Sequence, residues 1–127
     1  MSKRILSIDD DEAIRKSFVL AFEGTKYKID TAESGQKALE KIKTNSYDLL
    51  FLDLKMPEMD GVETLRKIRK ISKKIPIFIL TAFHKEFFSK LKSASEDGLT
   101  FELLEKPIGV DEISLIVASV FEGPQAY

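Results

Sequence analysis

Five short apolar runs, each separated from the next by a segment with helical spacing, constrain this chain more than any other feature. The runs are RILSI (4–8), YKIDT (27–31), DLLFL (48–52), PIFIL (76–80) and TFELL (100–104). Each has strand length and carries β-branched or aromatic residues. Between them the apolar period changes. Ile14, Phe18, Ala21 and Phe22 share one helical face, as do Ala38, Leu39 and Ile42. Val62, Leu65, Ile68 and the aliphatic stem of Arg69 form a third, and Ile113, Ile116, Val117 and Val120 a last one, at i, i+3, i+4 and i+7.

The punctuation agrees with this division. Gly24 closes the first helix, Ser34 caps the second and Asp60-Gly61 opens the third. Pro76 begins the fourth strand, where a missing N–H is tolerated. The last helix starts at Gly109 or Asp111. In LKSASEDGLT (91–100) the spacing predicts a helix end near Ala94 and a loop around Asp97-Gly98.

Strands alternating with helices imply a parallel sheet covered on both faces, an α/β fold. Continuous apolar runs suit strands buried on both sides. Right-handed crossovers reduce the topologies to a doubly wound sheet, whose ligands sit beyond the carboxyl ends of the strands. With 127 residues, 43% of them apolar, the chain has material for one core. The expectation is a single domain over 1–122 and a short frayed tail over 123–127.

Twenty basic and 21 acidic residues leave a net charge of −1, which gives no reason to expect direct nucleic-acid or membrane binding. Without cysteine there is no disulfide or thiolate metal site. The start, MSKRILSIDDD, does not read as a signal peptide or a spanning helix. A cytoplasmic location is expected.

The run DLLFL ends in a carboxylate, Asp53, followed by Lys55, Pro57 and the Asp60-Gly61 turn. Asp9 and Asp10 stand at the end of the first strand, Thr81 at the end of the fourth and Lys106 at the end of the fifth. In a doubly wound sheet these ends converge on one edge. Clustered carboxylates repel one another and favour a bound cation. Mg2+ (or Mn2+) suits such oxygen donors. Zinc does not, because His84 is the one imidazole. Asp53 can then act as a nucleophile toward phosphorus, with Lys106 and Thr81 holding the phosphoryl oxygens.

The stretches ILSIDDDEAIR, LLFLDLKMPEMDG, ILTAF and EKPI resemble the signature of response-regulator receiver domains of two-component signalling, from about Lys3 to Phe121. The resemblance implies a flavodoxin-like (βα)5 fold with strand order 2-1-3-4-5. It implies Asp53 as phosphoacceptor, fed by a histidine kinase or histidine phosphotransfer protein, and signalling to an output domain or effector protein. It also implies Asp9 and Asp10 as the acidic pair, with Asp10 and Asp53 as direct Mg2+ ligands and the Lys55 carbonyl as the third. Thr81 takes the role of switch hydroxyl and Lys106 that of phosphoryl-binding lysine. Such a domain is a phosphoacceptor and not a turnover enzyme on an external substrate. Two departures stand out. Leu103 occupies the place of the family's switch aromatic, and the stretch from Thr81 to Lys106 is longer than usual. Lys55 and Phe83 sit where the family tunes phosphate lifetime.

Other readings compete. Asp9, Asp10, Asp11 and Glu12 could merely cap a helix. RKIRKISKK (66–74) reads as the wet face of the third helix and not as a nucleic-acid patch. Phe83 and Phe87 read equally as core or, with Phe88, as a partner surface, and His84 as an exposed loop residue. A haloacid-dehalogenase-like phosphatase would also use an aspartate with Mg2+, but Lys55 occupies the place of its second acid. A nucleotide or flavin module lacks a glycine-rich loop here. A phosphorylation-independent docking module is the remaining alternative.

Overall fold

In the computed structural model, residues 2–82 and 85–123 are described. Five parallel strands form one sheet in the order β2-β1-β3-β4-β5. They are β1 (Arg4–Ile8), β2 (Lys28–Ala32), β3 (Leu49–Asp53), β4 (Ile77–Thr81) and β5 (Glu102–Glu105). The helices are α1 (Glu12–Phe22), α2 (Gly35–Thr44), α3 (Gly61–Ile71), α4 (Phe88–Glu96) and α5 (Val110–Glu122), with a short 3-10 turn at Lys85–Phe87. The expected fold class and strand order are those observed.

Alternate residues of each central strand feed two separate cores. Leu6, Ile8, Leu50, Leu52, Ile77 and Ile79 point toward α2, α3 and α4, where they meet Leu39, Leu65 and Leu91. Ile5, Leu49, Phe51 and Leu80 point the other way and meet Phe18, Ile113 and Val117 of α1 and α5. Both faces are covered, which is why β3 is apolar at four consecutive positions and wholly buried. Each buried leucine here contributes about 1.5–3 kcal/mol of transfer free energy.

The helix starts are capped as their sequences suggest. Asp11 accepts from the Ala13 amide at 2.9 Å, Ser34 from Lys37 at 3.1 Å and Asp60 from Glu63 at 2.9 Å. Gly109 caps α5, with Glu112 reaching back to its amide at 3.4 Å. The capping reading of the first acids is therefore right for Asp11 alone.

Several boundaries differ from expectation. β2 to β4 run one residue later than the apolar runs. Tyr27 is outside β2, whose pairing with β1 begins at Arg4 opposite Lys28; its hydroxyl donates to Glu122 at 2.6 Å and its ring meets Phe121. β5 begins at Glu102, two residues late: the Thr100 carbonyl accepts from Arg69 at 2.7 Å instead of joining the ladder. Arg69 is thus not on a wet face, being 5% exposed. α4 continues to Glu96 and stops where Gly98 adopts φ +85°. Phe87 is core and Phe88 is half-exposed. The readings of Phe83 and His84, and that of the tail beyond Gly123, lie outside the described residues. The Lys106-Pro107 bond, left open by sequence, is cis.

Candidate functional site

The carboxyl ends of β1, β3, β4 and β5 meet at one edge of the sheet. They enclose a crevice of about 260 Å³ lined by Asp9, Asp10, Asp11, Asp53, Lys55, Thr81 and Lys106, among others. Every residue assigned to the site from sequence lines it.

Parallel pairing sets the placement. Asp53 is the last residue of β3 and lies opposite Leu80 of β4, one step before Thr81. Thr81 is in turn paired with Glu105, which places Lys106 just past the tip of β5. The Lys106 amide donates to the Thr81 carbonyl at 2.8 Å and so extends that ladder into the site.

The side chains form a charged cluster. Lys106 Nζ lies 2.8 Å from Asp53 Oδ1 and 3.3 Å from Asp9 Oδ2. The other Asp9 oxygen accepts from the Asp11 amide at 2.9 Å. Oxygens of Asp9, Asp10 and Asp53 all lie within 4.8 Å of one another. Asp9, Asp53 and Thr81 are buried, whereas Asp10 is exposed.

This crowding perturbs ionisation. Burial pushes the Asp53 carboxyl up to about 6, with the charges of Asp9 and Asp10 acting in the same direction and Lys106 opposing them. Burial also raises Asp9, against the pull of the Asp11 amide and Lys106. For Lys106, burial favours the neutral amine, but Asp53 and Asp9 outweigh it and hold the ammonium above its usual range. One lysine thus faces three acids, and the cluster keeps an excess of negative charge. A hard cation with oxygen ligands fits that donor set.

Three contacts around the crevice were not foreseen from sequence. Arg15 Nη1 donates to the Asp9 carbonyl at 2.8 Å. Lys55 pairs with Glu86 at 3.5 Å, so its side chain turns away from the acids. Lys90 of α4 reaches Asp60 at 2.7 Å. Arg15 did carry a signal, since a cation near a helix N-terminus opposes the helix dipole and needs some other partner. The two ion pairs depend on loop paths that no local pattern encodes. Leu103, at the place of the switch aromatic, is half-exposed.

Acids from two strand tips clamped by a lysine from a third are the arrangement of a receiver-type α/β domain. The response regulator receiver domain family matches residues 5–118, and the chain belongs to that family. It is 36% identical over 113 residues to the response regulator MprA of Mycobacterium ulcerans, covering 89% of this chain and 47% of that protein. The chain thus spans about half the length of the curated relatives it matches. Its fold superposes on the chemotaxis protein CheY4 of Vibrio cholerae with a TM-score of 0.82 at 27% identity, covering 95% of this chain and 100% of that one. Response regulator TrrA of Thermotoga maritima, whose structure is a complex with Mg2+-BeF, is 39% identical with a TM-score of 0.73, covering 94% and 99%. No helix among the described residues is long and apolar enough to cross a membrane.

Proposed function

We propose that residues 1–122 act as one receiver unit in which Asp53 accepts a phosphoryl group from a histidine kinase or histidine phosphotransfer protein. The observation that carries this reading is Lys106, held 2.8 Å from Asp53 and 3.3 Å from Asp9 at the mouth of the acidic crevice.

An Asp53 carboxylate oxygen attacks the donor phosphorus. The new P–O bond forms as the donor P–N bond breaks, and the electron pair leaves with the donor imidazole. With its ionisation near 6, Asp53 is mostly carboxylate at neutral pH and competent to attack. Lys106 already faces the reacting oxygen and passes to the phosphoryl group as the carboxylate loses its charge. Thr81, one step past Asp53 on the neighbouring strand, offers its hydroxyl to a second phosphoryl oxygen. Asp10, Asp53, the Lys55 carbonyl and, behind them, Asp9 would hold Mg2+ or Mn2+. When bound, such a cation neutralises charge on the phosphoryl oxygens.

Phosphorylation adds nearly two negative charges to this edge. The loops after β3 and β4 respond to them, which suits signalling to an output domain or effector protein and not turnover of an external substrate.

Incubation with acetyl phosphate and Mg2+ is expected to give a phosphoryl adduct by intact-mass analysis, absent in Asp53→Ala. No adduct, or one that survives the substitution, refutes the reading. Calorimetric titration with Mg2+ should show binding that weakens at least about ten-fold in Asp10→Ala, since one of few charged ligands is lost. Unchanged affinity would remove Asp10 from the ligand set.

A further inference from the structure

The first turn of α1 carries a cation that the phosphoacceptor reading leaves without a role. Arg15 follows four carboxylates, Asp9, Asp10, Asp11 and Glu12, yet pairs with none of them among the described residues. Glu12 is taken by Lys16 at 3.2 Å, and Asp11 caps α1. Asp9 is held by the Asp11 amide and Lys106. Arg15 instead donates to a neutral group, the Asp9 backbone carbonyl, at 2.8 Å.

That carbonyl belongs to the peptide joining Asp9 to Asp10. The Asp9 residue is held on its other side too, because its amide donates to Ala32 of β2 at 3.0 Å. A peptide group is planar, so fixing its carbonyl fixes the position of the next Cα, the point from which the next side chain leaves. The next residue is Asp10, whose carboxylate is exposed and makes no hydrogen bond or ion pair among the described residues. No contact of its own holds the Asp10 carboxylate, so the Arg15 clamp acts on the backbone from which it extends.

We propose that Arg15 is a positioning residue for the divalent-cation site: its grip on the Asp9 carbonyl places the Cα from which the Asp10 carboxylate reaches toward Asp9 and Asp53. This rests on the reading of the crevice as a cation site. A guanidinium near the site also repels a divalent cation, so the two effects of Arg15 have opposite signs. Positioning predicts weaker binding when it is removed, and bare repulsion predicts tighter binding.

Calorimetric titration of the full chain with MgCl2 separates them. Arg15→Leu is expected to raise the Kd about ten-fold, in the range found for groups that orient metal ligands. Arg15→Lys keeps one donor and should fall between the two. Equal or tighter binding in Arg15→Leu overturns the proposal. Hydrogen exchange of the metal-free protein gives the second readout. The Asp11 amide, bonded to Asp9 Oδ1, should lose several-fold protection in Arg15→Leu while the Phe51 amide in β3 is unchanged. Equal loss at both would mean a general stability effect and would also overturn it. A wild-type chain that fails to bind Mg2+ refutes the cation site itself, an outcome distinct from wild-type binding with an unaltered Arg15→Leu affinity.

Discussion

Gly61→Ala is expected to destabilise the protein by about 2–3 kcal/mol and to slow phosphoryl-adduct formation at Asp53, the cost of forcing a methyl group into a site without room. A Cβ built at Gly61 would lie 2.5 Å from the Asp53 carbonyl oxygen and 2.7 Å from the Leu54 Cα. Both are backbone atoms at the tip of a fully buried strand, so no flexible side chain can yield. The Gly61 amide also donates to the Leu54 carbonyl at 2.7 Å, which pins α3 against the strand. Alanine normally favours a helix over glycine by about 1 kcal/mol, and here that preference is outweighed. Relief of the clash requires either α3 or the Asp53 backbone to move. The adduct rate measures the second, because an ångström of misplacement can cost about a hundred-fold in rate. Urea unfolding and the acetyl phosphate time course together test the prediction. A variant with wild-type stability and wild-type rate would show that the turn has slack.

That contact also explains how much of the site could be read from the sequence. The strand-end positions of Asp53, Thr81 and Lys106 are legible because a strand end is a coarse landmark. The apolar runs precede β2 to β4 by one residue and β5 by two, yet each of these groups still falls at the carboxyl edge. Register in a parallel sheet then did the rest, as the pairing of Thr81 with Glu105 illustrates. The fold is equally legible, since burial on both faces makes the first four residues of β3 apolar. What sequence could not supply was the division of labour between adjacent acids. Asp9 and Asp10 look alike in the string, but one is 1% exposed and tied to Lys106, while the other faces solvent. Asp9 is held by the Asp11 amide, Lys106 and the Ala32 carbonyl, partners that lie on other segments or depend on the path of the turn. β5 was the poorest boundary because a side chain from another element, Arg69, captures the Thr100 carbonyl. Long-range hydrogen bonds of that kind have no local signature.

In the absence of divalent cations, Asp53→Asn should stabilise the protein by about 2–3 kcal/mol at pH 7 and above, the equivalent of a carboxyl raised by some two pKa units. The wild-type Asp53 ionises near 6, against 3.8 for an unperturbed aspartate, chiefly because it is buried. Between those values the folded protein binds more protons at this site than the unfolded chain does. Wild-type stability from this group therefore rises as the pH falls from about 7 to 4 and is level beyond. Asparagine has no charge to bury, and its amide oxygen can still accept from Lys106. The advantage of the variant is thus full at neutral pH and vanishes near pH 4. Other carboxylates act oppositely. Asp30 and Asp60 are held below the usual range because hydrogen bonds and nearby cations outweigh their burial, and they lose stabilisation on acidification. The difference between variant and wild type is consequently the quantity to plot, from chemical unfolding at a series of pH values. Saturating Mg2+ should shrink or reverse the difference at pH 7, because a ligand of the folded state stabilises by RT ln(1 + [L]/Kd) and the wild type binds it more tightly. A difference that is flat across pH 4 to 8 would mean that Asp53 carries no ionisation strain. A difference indifferent to Mg2+ would mean that its charge serves some purpose other than holding a cation.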